Sequence, residues 1–363
     1  MKNNKIVQII PYFNSRYGGP PYVAKSLNTF FNLNGYNSIL LTVDNYESST
    51  HTVFFKMSIR KFWYSYDFMM HSIKYIKNSD IVFVHGLYTF VSLWGTFIAY
   101  LYGKKIYLLP HGMLDNNSIN SSGVIKNTLR KFFLYTIGYF QVKVSQKVIF
   151  NSKKEMENSL FSHNAVIIAN GVDLHYIDTI QTHKNYFSKE KVSLFFLGRL
   201  HKIKGIELIL DAIDKLDDNI KEKIELIIAG TGDTDYIKFL QDSSDINTTK
   251  FIGHIDSDTK YNYLKQCDIY LQPSFTEGLS ISMLEAMACR VNMITTNRVG
   301  LFEELIDKEA AMIIEYNSTK LKLAILSLIN TRNKYRDNGY EMIKEKYNWN
   351  VILNDYIDLI GAN

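Results

Sequence analysis

At 363 residues, 46% hydrophobic and 21% charged, the chain is long enough for two domains with a core each, and its composition excludes a disordered polypeptide. A net charge of +5 is too small to argue for nucleic acid, yet it is compatible with an anionic ligand or surface. Cys267 and Cys289, both in apolar surroundings, form no disulfide framework and read as thiols of a reducing cytoplasm.

Met1-Lys2-Asn3-Asn4-Lys5 leads straight into a predicted strand at 6–10, too short for a signal-peptide core and without a small-residue cleavage site. Tyr17-Gly18-Gly19-Pro20-Pro21 follows, before a predicted helix over 22–32. Proline costs nothing at a helix start, and glycine lets backbone approach a ligand. The loop therefore reads as ligand-facing or as an ordinary strand-to-helix turn. A second strand is predicted at 38–43. Residues 81–103 carry no Asp, Glu, Lys or Arg, which raises the question of a membrane span. His85-Gly86 interrupts the run, so the reading is a buried strand at 81–84 and a buried helix over 90–102, closed by Gly103. The strand at 105–109 runs into Pro110-His111-Gly112-Met113. A histidine at a strand's carboxyl end can donate to, or accept from, a ligand hydroxyl, although a lone histidine is usually structural. A strand at 147–150 closes the first half.

The second half carries predicted strands at 166–169, 193–197, 225–229, 250–252, 269–271 and 291–295, with helical runs between most of them. Such alternation builds parallel sheets covered by helices on both faces. Residues 172–191, polar and without long apolar periodicity, read as a linker. Two doubly wound units result, with ligands expected at the carboxyl ends of their strands. Past the strand at 193–197 stand Gly198-Arg199-Leu200, then Lys202, Lys204 and Gly205 before an apolar helix. Arg199 and Lys204 in that place suit a diphosphate clamp better than a solvated loop. Gly230-Thr231-Gly232 lacks the third glycine of a dinucleotide fingerprint and reads as a tight turn. Asp233-Thr234-Asp235 and Asp256-Ser257-Asp258 look like metal triplets, but no His or Cys cluster supports one, and no metal is expected. In Glu277-Gly278-Leu279-Ser280, a loop carboxylate opens onto a helix that carries Glu285. A helix start attracts phosphate and carboxylates accept from hydroxyls, so the pair suits a phosphate-linked, hydroxyl-rich ligand.

Taken together, these segments resemble the GT-B glycosyltransferases, specifically the retaining family 4, or group 1, enzymes. The resemblance rests on Gly18-Gly19, Pro110-His111-Gly112-Met113-Leu114-Asp115, Asn170-Gly171-Val172-Asp173, Gly198-Arg199-Leu200 with Lys204-Gly205, Ala229-Gly230-Thr231-Gly232, Phe251-Ile252-Gly253, and Pro273-Ser274-Phe275-Thr276-Glu277-Gly278-Leu279 with Glu285-Ala286-Met287-Ala288. It implies an α/β fold of two Rossmann-like, doubly wound domains facing a central cleft. Residues 1–171 would bind the acceptor and 172–345 the nucleotide sugar, with 346–363 crossing back. It also implies roles: Glu277 toward the donor sugar, the Gly278, Leu279 and Ser280 backbone at sugar hydroxyls and phosphate, and Glu285 at the ribose. Arg199 and Lys204 would hold the diphosphate, with Gly19 approaching it from the other domain, His111 near the reacting sugar, and Gly253 and His254 at the base. The UDP- or GDP-linked sugar is then a substrate, and no cofactor is implied. One departure stands out. Where the family continues small-Gly-x-Pro-Val after Ala288, this chain has Cys289-Arg290-Val291-Asn292-Met293, so altered packing or donor choice is expected there.

Two segments, 56–77 and 126–147, mix bases with aromatics and suit an anionic bilayer face, or equally amphipathic helices with snorkelling lysines. The resemblance extends to bacterial surface-polysaccharide enzymes. It implies a lipid-linked glycan acceptor in capsule, O-antigen or exopolysaccharide assembly and a cytoplasmic place, either free or peripheral at the inner membrane face. A catalytically weak nucleotide-sugar-binding partner subunit is the alternative, motivated by the altered turn. A dinucleotide oxidoreductase is a third, disfavoured by the missing glycine.

Overall fold

The computed structural model describes residues 4–14, 17–44, 50–116, 124–182, 184–331 and 334–361, with only the backbone described at 124–127, 129 and 257. The chain divides into two compact units, Met1–Asn170 with Ile352–Asn363, and Gly171–Val351.

The first unit is built on β1 (Lys5–Ile9), β2 (Asn37–Thr42), β3 (Thr52–Phe54), β4 (Ile81–His85), β5 (Lys105–Leu109), β6 (Lys147–Phe150) and β7 (Ala165–Ile167). They form one parallel sheet in the order β3-β2-β1-β4-β5-β6-β7. All five residues of β4 are buried, as its unbroken Ile81-Val82-Phe83-Val84 run requires of a strand covered on both faces. Val7, Leu41, Val82, Val84, Ile106, Leu108 and Phe150 form the centre of one core, and burying each such side chain contributes roughly 1.5–3 kcal/mol. On the terminal helix, Tyr356 packs edge-on against Phe31 and Phe83. The helix Gly19–Leu33 starts three residues before its predicted start, because Pro20 and Pro21 preset its first turn after Gly18 at φ +85.

The second unit carries β8 (Val192–Leu197), β9 (Ile224–Ala229), β10 (Thr249–Gly253), β11 (Ile269–Gln272), β12 (Asn292–Thr296) and β13 (Met312–Ile314), parallel in the order β10-β9-β8-β11-β12-β13. Its core centres on Leu194, Phe196, Ile206, Ile209, Leu226, Ile228, Leu271, Ile294 and Ile325. Each sheet reverses its strand order once, at β1/β4 and at β8/β11, and a crevice opens at such a reversal beyond the strands' carboxyl ends.

Two expectations need correction. The strand predicted at 166–169 does not belong with the second half: as β7 it pairs with β6 in the first sheet. The polar stretch 172–191 is no loose linker over its described residues. Asp173 caps a helix at Leu174–Thr179, while Ile180, Lys184 and Tyr186 are tied by hydrogen bonds to Lys265 and Gln266. Side-chain bonds replace the apolar periodicity that would have revealed the docking. The edge strands β3 and β13, three residues each, are too short to show alternation and were not predicted. Among the described residues no helix is long and apolar enough to cross a membrane.

Candidate active site

In the second unit, the site forms where β8 and β11 end side by side. After β8 the chain keeps step with the segment after β9, Leu200 N donating to Thr231 O at 2.8 Å. The fit needs glycine: Gly230 lies at φ +141, and a Cβ there would fall 1.8 Å from the Gly198 carbonyl oxygen. Lys202–Lys204 then make one 3-10 turn, capped by the His201 side chain. Gly205, at φ +73, opens the helix Ile206–Asp214, and a Cβ there would meet Pro273 O at 2.1 Å. Phe275 N donates to Ile203 O at 2.8 Å. The basic turn is thus stitched to the loop after β11, and Lys204 Nζ comes to Glu277 Oε2 as an ion pair, both side chains largely buried. Arg199 is exposed and makes no ion pair among the described residues. Partial burial, and then the positive charges of Arg199, Lys204 and Lys202, push the His201 imidazole below its usual range, so the turn carries a concentrated positive field.

Gln272 organises this wall. Its Nε2 donates to Ser280 Oγ at 2.8 Å and reaches Glu277 Oε2 at 3.4 Å, while its Oε1 accepts from Ser282 Oγ at 2.9 Å and Tyr270 OH at 2.7 Å. Ser280 stands at the N-cap of the helix Ile281–Ala288 but makes no capping bond, its hydroxyl being engaged with Gln272 and Ser282. The first-turn N–H groups therefore lack a side-chain acceptor, an arrangement that suits an anionic oxygen. Gly300 N donates to the carbonyls of Glu277 and Gly278 at 2.9 and 3.0 Å, fixing the loop from behind. Further along the helix, Glu285 is buried, and its Oε1 accepts from Lys260 Nζ at 2.6 Å and Tyr261 OH at 3.0 Å.

In the first unit, His111 follows β5 at φ +50. Its turn is held by Met113 N donating to Pro110 O at 3.1 Å and by Gly112 N donating to the buried Glu155 carboxylate, which also accepts from Asn151 N at 2.8 Å. Burial raises the Glu155 pKa, and these two N–H groups oppose the rise. His111 Nε2 lies 3.0 Å from His85 Nδ1, with the two rings stacked, and His85 Nε2 lies 3.0 Å from Gln8 Oε1. Burial pushes the His111 pKa down to about 4 and that of His85 well below its usual value, so both rings are neutral at pH 7.

Residues 178–345 match the family model of the glycosyl transferases group 1. An uncharacterized glycosyltransferase of Methanocaldococcus jannaschii is 29% identical over 315 residues, 84% of this chain and 77% of that protein. The capsular polysaccharide biosynthesis glycosyltransferase CapH of Staphylococcus aureus is 26% identical over 256 residues, 70% of this chain and 69% of its own. The structure of Anabaena HepE in complex with UDP and glucose superposes with a TM-score of 0.76 at 14% identity, covering 99% of this chain and all of that one, a likeness that shows the fold. Over residues 178–345 the chain is thus similar to the group 1 glycosyltransferases. Its fold is GT-B.

Within the second unit the structure brings Glu277, Lys204, Gly278 and Ser280 together, with Leu279 buried beside them. Glu285 lies on the same helix but is paired with Lys260. Gly253 and His254 are exposed at the end of β10, where Gly230 N donates to Gly253 O at 2.7 Å. Gly19 and His111 belong to the first unit. Each first Asp of the two acidic triplets, Asp233 and Asp256, caps a helix. Among the described residues no group of three metal-ligating side chains is assembled. Sequence reasoning missed Gln8, His85, Glu155, Lys260 and Gln272. His85 and Gln272 each stand at the end of a predicted strand, which was a usable signal; Lys260 sits in a polar helix and offered none.

Proposed function

We propose that this protein is a glycosyltransferase that moves a sugar from a UDP- or GDP-linked donor to a hydroxyl of a glycan acceptor, with retention at the anomeric carbon and without a metal. The observation that carries the reading is the Lys204–Glu277 pair beside an uncapped helix start: a cation for the diphosphate and a carboxylate for sugar hydroxyls, fixed within one hydrogen-bonded wall. Arg199 and Lys204 hold the diphosphate and stabilise it as it departs with the bonding pair from the anomeric carbon. Glu277, kept in place by Gln272, accepts from sugar hydroxyls, and the Gly278–Ser280 backbone meets hydroxyls and phosphate. Glu285 serves the ribose, Gly253 and His254 the base. From the first unit, Gly19 approaches the diphosphate and His111 the sugar. The acceptor hydroxyl attacks the oxocarbenium-like centre from the face the diphosphate leaves, and its proton passes to the departing phosphate oxygen.

That HepE is solved with UDP and glucose, and that CapH is named for capsular polysaccharide biosynthesis, support a nucleotide-sugar donor and a role in surface-polysaccharide assembly. A lipid-linked acceptor fits the exposed Phe62, Tyr66, Phe132 and Tyr135, which lie among Arg60, Lys61, Arg130 and Lys131 and suit the face of an anionic bilayer. We expect Phe62→Ser with Phe132→Ser to weaken sedimentation with phosphatidylglycerol vesicles; wild-type protein that stays in the supernatant removes the membrane from the reading.

The donor is tested by thermal shift with UDP-, GDP- and ADP-sugars, followed by transfer assays. One donor should raise the melting temperature by mass action. Glu277→Ala should lower turnover at least 100-fold, since the loss of a fixed electrostatic group costs about 2.7–4 kcal/mol. A bound donor with no transfer or hydrolysis would leave a binding protein, not an enzyme.

A further inference from the structure

Behind His111 runs a line of buried polar side chains that the proposed chemistry does not use. Asn28 Nδ2 donates to the backbone carbonyl of His51 at 3.2 Å, Ser38 Oγ donates to Asn28 Oδ1 at 2.7 Å, and Gln8 Nε2 donates to Ser38 Oγ at 3.2 Å. Gln8 Oε1 then faces His85 Nε2, and His85 Nδ1 faces His111 Nε2, each at 3.0 Å. Gln8, Ser38, Asn28 and His85 are all buried, so water does not redirect these bonds.

Direction propagates along this line. A backbone carbonyl only accepts, so the Asn28 amide must turn its NH2 toward His51 and its oxygen toward Ser38. The single Ser38 hydroxyl hydrogen goes to that oxygen. Ser38 Oγ is then an acceptor, which fixes the NH2 of Gln8 toward it and the Gln8 oxygen toward His85. His85 must therefore carry its proton on Nε2. A neutral ring has one proton, so His85 Nδ1 is a lone pair, and His111 must carry its own proton on Nε2. His111 Nδ1 makes no hydrogen bond among the described residues.

The geometry points to Asn28, Ser38, Gln8 and His85 as positioning residues that lock His111 in the Nε2–H tautomer, so that Nδ1 presents a lone pair and takes a hydrogen bond from a ligand hydroxyl. Such a ring selects a hydroxyl-bearing sugar over a deoxy analogue at that position and gives an anionic phosphate oxygen no donor. The ligand half of this statement rests on the proposed function; the tautomer half does not.

The test separates the two. Ring-nitrogen NMR of protein labelled with 15N histidine, at pH 7 and without ligand, should show His111 with protonated Nε2 and unprotonated Nδ1, the signals assigned by their loss in His111→Gln. Ser38→Ala removes the residue that fixes the Gln8 amide, and should give a mixture of His111 tautomers. Ser38→Thr restores the hydroxyl and should restore the single form. Both changes are small enough to fold, which a circular-dichroism melt verifies. Wild-type His111 protonated on Nδ1, or a Ser38→Ala spectrum as uniform as wild type, overturns the inference whether or not transfer is ever detected. Where transfer is measured, Ser38→Ala should lower kcat/KM roughly three- to ten-fold, the equivalent of one weakened hydrogen bond, and Ser38→Thr should not. A correct tautomer response with no effect on sugar-dependent binding or turnover would remove the hydroxyl contact from the proposal.

Discussion

His111 and His85 make the first sheet's ligand edge sensitive to pH through a plain linkage. Both rings are held neutral by burial, with folded pKa values below the ordinary imidazole value of 6.5, about 4 for His111 and well below 6.5 for His85. The unfolded chain therefore binds more protons than the folded one once pH drops below about 6.5, and stability falls with pH in that range. The full contribution is present above 6.5; for His111 it is lost progressively down to about 4, below which both states are protonated. Urea midpoints should decline between pH 7 and pH 5 in the wild type. The decline should be shallower in His111→Gln, which has one fewer such group. An equal slope in the two proteins would show that His111 is solvated in the folded state.

At the scale of elements, the turn after the helix Ile281–Ala288 shows how the departure from the family pattern is accommodated. Arg290 N donates to Met287 O at 3.0 Å and Val291 N to Ala286 O at 3.3 Å, a Schellman closure whose left-handed position is Arg290 at φ +56. Glycine is the usual residue there, and a side chain costs about 1 kcal/mol. The arginine offsets this by stacking 3.6 Å over the Tyr340 ring and pairing with Asp337 at 2.7 Å. In place of the family's proline, Asn292 accepts from Tyr335 N at 3.2 Å. Arg290→Ala should be the more damaging substitution, because it keeps the strain and loses the stacking. Arg290→Gly loses the stacking but relieves the strain, and should exceed Arg290→Ala by about 1 kcal/mol in urea unfolding. Gly no better than Ala would mean the left-handed turn carries no strain. The same turn shows what the sequence could reveal. Apolar runs such as 81–84 and 105–109, ending in His85 and Pro110-His111, disclosed the strands and placed one candidate residue at a strand end, because a doubly covered parallel strand must be continuously apolar. The order Lys204-Gly205 and Glu277-Gly278 pointed to two side chains that the fold brings together as an ion pair. Hidden were polar side-chain contacts: Lys260 with Glu285 across 25 positions, Gln8 with His85 across two strands, and even Gln272 with Glu277 five positions on, which a turn brings together. Each joins polar residues whose local sequence has no period, so only the folded sheets bring them into register.

The whole molecule is two sheets with separate cores, and the proposed contacts divide between them by the chemistry of the donor. The nucleotide and diphosphate draw on Arg199, Lys204, Gly253 and Glu285, all in the second unit, with Gly19 assisting. His111 has no work until a sugar is attached. Hydrogen exchange can separate these contributions. A ligand at a hundredfold excess over its Kd stabilises the segments it holds by about 2.7 kcal/mol, and protection rises where opening must first release it. UDP or GDP alone, whichever base binds, should protect 198–205 and 280–287 while leaving 110–113 unchanged. The intact nucleotide sugar should add protection at 110–113 and at 275–279, where His111 and Glu277 meet hydroxyls. Protection of 110–113 by the bare nucleotide would move His111 from the sugar to the phosphate and contradict the lone pair at its Nδ1. No change at 198–205 with any nucleotide would remove Arg199 and Lys204 from the diphosphate, and with them the metal-free departure of the leaving group.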